Sequence, residues 1–365
     1  MDGITWPSVL TSIASPEPIS GEMAAWAMRE VFRNQATEAQ TSAFIFGLKT
    51  RGETPEQVSA MATVMLEFAN LVPELPNKRV ILDIVGTGGD GSHSVNISTM
   101  AAVVAATCGV TVIKHGNRAF SSSTGSADLL EALGLEIDLT AEQVGQVADQ
   151  VNIGFCFAPK HHPATRFAAP VRVQLAVPTV FNIMGPLTNP GRANAGLIGC
   201  ANVLQAPTMA RVLADRGVKA IVVRGTDGLD EISLSAPTQI WDATTGAVKQ
   251  SLIEPGDFGV SNFNPAHLRG GEPSRNAELT KKVFGGLDLG TDTEVVESIR
   301  IAVALNAAAG MAAAECVVDP DASATSLVQR INSHFSQAQQ VLDSGETWRV
   351  FNQWVIAARE VKAAG

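Results

Sequence analysis

The sequence predicts an α/β protein, with a small all-helical domain ahead of a larger α/β domain built on a largely parallel central sheet. Three observations predict it. Residues 1 to about 73 carry only helical periodicity, strands alternate with helices from Arg79 onward, and two strand-to-helix junctions are rich in glycine or hydroxyl residues. At 365 residues the chain has room for more than one domain.

In the N-terminal part, segments 21–33, 38–48 and 54–70 place apolar residues at i, i+3, i+4 spacing, and Thr54, Pro55 and Gln57 make a good helix start. Leu71-Val72-Pro73-Glu74-Leu75-Pro76 reads as a linker, which sets the helical domain at 1–74. Strands are expected at 80–85, 110–113, 195–200 and 219–224. Between them, 163–175 reads as a helical interruption flanked by Pro159, Pro163 and Pro178. Its composition resembles the N-terminal segment, so a stretch near 160–182 is expected to return to the helical domain. The α/β domain then comprises 75–159 and 183–365, closed by helices over 293–316, 322–342 and 345–361.

An apolar content of 45% with 17% charged residues is ordinary for a soluble globular protein. The net charge of −10 argues against a nucleic-acid partner, because phosphate backbones would be repelled on average. Yet Lys114, Arg118, Lys160, Arg166 and Arg172 lie within 59 residues, with His93, His115, His161 and His162 in or near them. One basic pocket in an acidic protein suits a small anionic ligand. Cys108, Cys156, Cys200 and Cys316 show no C-x-x-C spacing and read as core thiols of a reducing compartment. The N-terminus lacks a basic and apolar leader, and the longest apolar stretch, 101–113, is too short to span a bilayer. No membrane association is expected, and the expected location is cytoplasmic.

Segment 81–128 carries the chemistry. A strand breaks into Gly86-Thr87-Gly88-Gly89-Asp90-Gly91, and Asn96-Ile97-Ser98-Thr99 reads as a capping sequence opening a helix. A second strand ends on Lys114-His115-Gly116-Asn117-Arg118, followed by a hydroxyl-rich stretch that includes Ser122 and Ser123. Two such loops make an anion cradle, since glycine lets backbone N–H groups approach an oxyanion and a helix N-terminus adds its positive end. The pattern reads as a site for a sugar phosphate. Gly86, Gly88 and Gly91 also satisfy G-x-G-x-x-G, but a dinucleotide site wants an acidic residue at the end of the second strand, where Lys114 stands. There is no G-x-x-x-x-G-K-[ST] and no G-x-S-x-G, and adjacent His161 and His162 lack the spacing of zinc ligands. Asp230-Glu231 has two readings: an acidic cap on a following helix, or a pair of carboxylates holding Mg²⁺ beside a phosphate. Asn182 to Pro190, and Gly270-Gly271 with Asn276-Ala277, mark further punctuated turns.

These motifs, with Gly125-Ser126-Ala127-Asp128, His162-Pro163-Ala164, Gly185-Pro186-Leu187-Thr188-Asn189-Pro190 and Asp227-Gly228-Leu229-Asp230-Glu231, resemble in order those of the anthranilate phosphoribosyltransferase family, from roughly residue 15 to 360. The resemblance implies transfer of the phosphoribosyl group of phosphoribosyl pyrophosphate to the amine of anthranilate, in tryptophan biosynthesis. It implies that Gly86, Gly89, Asp90, Asn96, Ser98, Thr99, Lys114, Asn117 and Ser122 hold phosphoribosyl pyrophosphate. Gly86, His115, Asn117, Ala158, His162, Arg172 and Gly185 would bind anthranilate, and Ser98, Asp230 and Glu231 would hold Mg²⁺ as cofactor. It further implies a homodimer formed through the helical part, and no protein nucleophile. Ser123, Thr165, Ala176 and Pro178 depart from the family pattern; Ser123 removes an expected phosphate contact and Thr165 is expected to widen the acceptor tunnel. A pyrimidine nucleoside phosphorylase shares the Lys-His-Gly turn, and a nucleic-acid-binding relative of the fold is a second alternative; the paired carboxylates oppose the first and the net charge the second.

Overall fold

The N-terminal bundle is made by α1 (Trp6–Ala14), α2 (Gly21–Phe32), α3 (Glu38–Arg51) and α4 (Pro55–Glu67) in a computed structural model that describes residues 3–119, 123–261, 263–286, 288 and 290–365. Thr5, Thr37 and Thr54 each close a capping box, with Ser8, Gln40 and Gln57 bonding back. Each box satisfies two N–H groups that a helix start leaves without partners. α1, not foreseen from sequence, is short and buries only Trp6, Val9 and Ile13 on one face.

The sheet has seven strands in the order β3-β2-β1-β4-β5-β6-β7. β1 (Leu82–Gly86), β2 (Val112–Gly116), β3 (Ile153–Phe157), β4 (Ala195–Gly199) and β5 (Lys219–Gly225) run parallel. β6 (Thr238–Asp242) and β7 (Lys249–Ile253) add an antiparallel hairpin at one edge. From β1 the chain steps outward to β2 and β3, then returns to the other side of β1 as β4. The crevice between β1 and β4 is therefore the switch point at which open α/β sheets bind ligands. Lys114 and His115 lie within β2, paired with Phe155 and Cys156, rather than in a loop after it. The unforeseen neighbour β3 is what prolongs the ladder.

Helices α5 (Ile97–Thr107), α6 (Ser126–Ala132) and α7 (Ala141–Val151) connect the first three strands. Between β3 and β4 come α8 (Ala158–His161), a 3₁₀ turn (Pro163–Phe167), α9 (Ala169–Leu175) and α10 (Phe181–Leu187). The single helix expected over 163–175 is thus broken, because Pro170 stands in the first turn of α9, where a proline starts a helix but cannot continue one. After α11 (Ala206–Asp215) and the hairpin, the chain closes with α12 (Pro273–Val283), α13 (Thr293–Val318), α14 (Leu327–Asp343) and α15 (Glu346–Ala364).

The sheet has apolar cores on both faces. Leu197, Ile221 and Val223 face α5, α7, α13, α14 and α15, whereas Ile198, Ala220 and Val222 face the cluster built from α1–α4. Ala164, Ala168, Val171, Val180 and Phe181 belong to that second cluster. Segment 290–318 is long and apolar enough in composition to cross a bilayer, so 101–113 is not the longest apolar stretch. It reads as a core helix, since 78% of its most apolar window is buried. Gly310 admits the sheet: a Cβ there would lie 2.8 Å from Ile84 Cδ1.

One buried ion pair fastens this layer. Arg330 Nη2 of α14 donates to Asp242 Oδ2 of β6 at 2.6 Å, and Nη1 reaches Cys316 Sγ at 3.1 Å. Removing one partner strands the other charge out of water. Arg330→Ala is therefore expected to lower the unfolding free energy by about 3–5 kcal/mol; a loss below about 1 kcal/mol on denaturant titration would show that the pair is not desolvated in this way.

Candidate active site

The cavity at the C-terminal ends of β1, β2 and β3 has a volume of about 650 Å³, within the usual range for a small-molecule site. It is lined by Gly86, Gly89, Asp90, Asn96, Ser98, Thr99, Lys114, His115, Asn117, Ala158, His162, Arg172, Gly185, Asp230 and Glu231. Every site residue expected from sequence is thus brought together, except Ser122, which lies outside the described residues. Ser123 is exposed and does not line the cavity. Thr165 does, with its hydroxyl turned back to donate to the His162 carbonyl at 2.7 Å.

Close approach governs the floor. A Cβ on Gly86 would lie 2.3 Å from Asp230 Oδ2, and one on Gly199 only 1.6 Å from the Asp230 carbonyl oxygen. Only glycine at both strand ends lets the β5–β6 connection lie across the switch point. Gly88 and Gly89 then take left-handed φ of 67° and 80°, and the Gly88 N–H donates to Asp230 Oδ2 at 2.7 Å.

No helix follows Asp230-Glu231; the chain continues to β6, so the helix-cap reading of the pair is overturned. Instead Glu231 Oε1 accepts the Ser98 N–H of α5 at 3.1 Å from across the cavity. Asn96 correspondingly makes no side-chain cap. Its amide nitrogen donates to the Thr124 carbonyl at 2.9 Å, and its oxygen accepts from Asn276 Nδ2 at 3.0 Å. Asn276, whose role sequence reasoning left open, also accepts the Gly271 N–H at 2.8 Å, tying the Gly270-Gly271 turn to the cradle. Asp128 Oδ2 accepts the N–H groups of Ala119 and Gly125, each at 2.9 Å, and so brings those two positions together beside the cradle.

Charge is unevenly supplied. Burial and the neighbouring Asp90 push the Asp230 carboxyl up to about 7, and burial with Asp230 beside it pushes Glu231 well above the usual range. Lys114 is the buried counter-charge. Burial lowers its pKa, while Asp83 and Glu231 hold it up. Its ammonium donates to the Ile84 carbonyl at 2.5 Å and reaches Ser98 Oγ at 3.4 Å.

The opposite wall is kept neutral. His115 donates from Nδ1 to the Gly185 carbonyl and His162 from Nε2 to the Thr188 carbonyl, both at 2.9 Å. Since a carbonyl only accepts, the Gly185 contact fixes the His115 tautomer, and His162 is oriented by its bond to Thr188. The rings lie 5.0 Å apart, and burial drives His115 down to about 3 and His162 to about 4. Arg166 and Arg172 bring positive charge to the wall, the Arg172 guanidinium lying 5.3 Å from the centre of the Phe181 ring.

A helical bundle set against an α/β sheet, with an anion cradle at the switch point, is the architecture of a glycosyl transferase family. Residues 7–69 match its helical bundle domain and 78–348 its a/b domain. The chain is 44% identical over 360 residues to the anthranilate phosphoribosyltransferase of Salinispora arenicola, covering 98% of each. The crystal structure of the Thermus thermophilus enzyme superposes with a TM-score of 0.84 at 37% identity, covering 96% of this chain and 99% of that one. The Saccharomyces cerevisiae enzyme in complex with PRPP and Mg gives 0.82 at 25% identity, covering 97% and 98%. The same yeast enzyme with 4-fluoroanthranilate gives 0.79 at 25% identity, covering 98% and 99%. This chain belongs to the anthranilate phosphoribosyltransferase family.

The depressed histidines set a pH dependence. The unfolded chain takes up a proton at His162 below about pH 6.5, whereas the folded chain does so only near 4. The folded state therefore binds fewer protons in that window and loses stability as pH falls through it, by on the order of 3 kcal/mol. His162→Asn removes this term. Between about pH 6.5 and 4 the unaltered chain is expected to lose more stability than the variant by that amount, and parallel stability curves would contradict the buried neutral imidazole.

Proposed function

We propose that the chain transfers the phosphoribosyl group from phosphoribosyl pyrophosphate to the amine of anthranilate, releasing pyrophosphate and forming N-(5-phosphoribosyl)anthranilate for tryptophan biosynthesis. The observation that carries this reading is a single cavity with a glycine-rich anion cradle at one end and, at the other, two neutral histidines with Arg166 and Arg172. The PRPP and the 4-fluoroanthranilate of the yeast relative support the same pairing. Anthranilate is fluorescent in its free form; its fluorescence should decay on adding enzyme, Mg²⁺ and phosphoribosyl pyrophosphate, and a stable signal would overturn the reading.

In this mechanism Gly86, Gly89, Asp90, Asn96, Ser98 and Thr99 cradle the donor, using backbone N–H groups and the N-terminus of α5. Thr99 Oγ1 is buried without a partner among the described residues, which suits a phosphate oxygen. Lys114 backs the cradle with positive charge, and Asn117, at the cavity rim, stands between donor and acceptor. Anthranilate sits against His115, Ala158, His162 and Gly185, with its carboxylate on Arg172. As the pyrophosphate bond at C1′ breaks, positive charge grows on the ribose and the amine attacks from the opposite face. Both histidines are neutral, and an aromatic amine facing a cationic sugar needs no strong base; once the N–C bond has formed, the acidic ammonium proton passes to water or to the released pyrophosphate. Catalysis is mostly positioning.

The donor set fits Mg²⁺. Asp230 and Glu231 are buried oxygen donors, their carboxyls raised by burial and by the carboxylates beside them, with Lys114 as the buried cation facing Glu231 among the described residues. Among the described residues, no three His, Cys, Asp or Glu side chains converge as a ready chelate, which suits an ion completing its shell with water and phosphate oxygens. Held by Asp230, Glu231 and Ser98, the ion would neutralise charge developing on pyrophosphate. A cytoplasmic homodimer accompanies this reading: Phe46, Val173 and Val177, on and just after the packed helices α3 and α9, are exposed large apolar side chains suited to a second copy.

Two outcomes follow. A guanidinium matches a carboxylate bidentately, so Arg172→Ala is expected to raise the anthranilate KM by about 30-fold or more, the range for losing a buried charged partner being roughly 2–5 kcal/mol. Equal changes in both KM values would contradict the assignment. Metal and donor should bind cooperatively, each raising the other's affinity. Asp230→Asn with Glu231→Gln is expected to abolish that coupling in calorimetric titrations while the protein stays folded; donor binding independent of Mg²⁺ in the unaltered protein would remove the metal's role.

A further inference from the structure

β1 pairs with β4 along its whole length, Leu82 to Gly86 against Ala195 to Gly199, and β2 pairs with β3 from Val112 to Gly116. Between β1 and β2 only Leu82 and Val112 are paired. The next parallel rung would join Ile84 to Lys114 and would use the N–H and C=O of Ile84, the C=O of Ile113 and the N–H of His115. Each of these groups is met by a side chain instead. Ile113 C=O accepts Asn189 Nδ2 at 2.7 Å, and Ile84 C=O accepts Lys114 Nζ at 2.5 Å. His115 N–H donates to Asp83 Oδ1 at 3.3 Å, and the Ile84 N–H faces the same carboxylate. Asn189 Nδ2 also donates to Asp83 Oδ2 at 2.7 Å, while its own oxygen accepts the Gly191 N–H at 2.7 Å.

We infer that Asp83, Lys114 and Asn189 form a side-chain wedge in place of one sheet rung, and that Asp83 and Asn189 thereby act as positioning residues for the aromatic acceptor. All three are buried, Asp83 and Lys114 on their strands and Asn189 from the loop after α10. A closed rung would need backbone alone, whereas the wedge buries a carboxylate and an ammonium, a costly arrangement for bracing a sheet. What it provides is separation. The gap admits the Asn189 amide, and the segment that bears it, 185–190, carries the carbonyls of Gly185 and Thr188 that orient His115 and His162. Asp83 holds the backbone of His115 directly, and Asn189 ties the carbonyl-bearing segment to the same point.

The donor end is held chiefly by other bonds, Asp230 on the Gly88 N–H, Glu231 on the Ser98 N–H, and Asn96 with Asn276; of the wedge only Lys114 reaches it, at Ser98 Oγ. Loosening the wedge at Asp83 or Asn189, with Lys114 kept, should therefore disturb acceptor binding far more than donor binding. This inference rests on reading the acceptor as anthranilate.

The test is steady-state kinetics with Mg²⁺ on Asn189→Ala and on the near-isosteric Asp83→Asn, which keeps the test open should the first fail to fold. Hydrogen–deuterium exchange of segments 112–117 and 183–191, without substrates, is measured alongside. The expected result is an anthranilate KM raised about tenfold or more, a donor KM within about twofold, and faster exchange in both segments. A lower denaturation midpoint with both KM values unchanged would reduce the wedge to a structural brace, and an equal rise in both would also overturn it. If the unaltered chain fails to turn over the two substrates, the proposed function falls. The exchange data then decide the wedge alone: faster exchange in both segments supports it and unchanged exchange overturns it.

Discussion

The site depends on two missing side chains. Gly86 and Gly199 end adjacent parallel strands, and the backbone of Asp230 passes so close that a Cβ on Gly199 would overlap it. From that approach come the seating of Asp230 on the Gly88 N–H, the reach of Glu231 to the first turn of α5, and hence the cradle itself. A sheet crevice at a switch point is common to open α/β folds. Here the β5–β6 connection crosses it, so Asp230 sits directly against the glycine-rich turn while Glu231 reaches the start of α5.

Electrostatics divides the cavity into two ends. At the cradle, buried carboxylates outnumber the one buried ammonium, so the end calls for a cation and for a ligand that brings one. At the far wall, burial keeps two imidazoles neutral while backbone carbonyls orient them, and Arg166 and Arg172 bring positive charge. A polyphosphate with its metal suits the first environment and a flat aromatic acid suits the second. Neither end would serve the other's ligand: a free carboxylate at the cradle would meet Asp230 and Glu231, and a metal at the far wall would find no oxygen-rich pair.

Much of this was legible in the sequence, because turn chemistry and helix starts are local. Gly86 to Asp90, Lys114 to Asn117 at the end of β2, and Asp230-Glu231 announce themselves by residue type, and all line the cavity. What escaped was set by distant neighbours. β3 is five residues of IGFCF with no alternation to betray a strand, and without it the extent of β2 could not be judged. Asn96 has every mark of a helix cap, yet its amide is drawn to Thr124 and Asn276, and Glu231 takes over the helix start. Asp83 and Asn189 are single polar residues in apolar or proline-rich runs; only the failure of β1 and β2 to pair reveals their work.

The proposed transfer requires one cavity to hold donor and acceptor end to end, with the amine facing C1′ opposite to the departing pyrophosphate. A crystal structure of the unaltered protein with phosphoribosyl pyrophosphate, Mg²⁺ and a non-reacting anthranilate analogue tests it most directly. The predicted result is pyrophosphate against Gly86 to Gly89 with metal density at Asp230 and Glu231, and the aromatic ring between His162 and Arg172. Pyrophosphate against Arg172, or an aromatic ring outside this cavity, would contradict it.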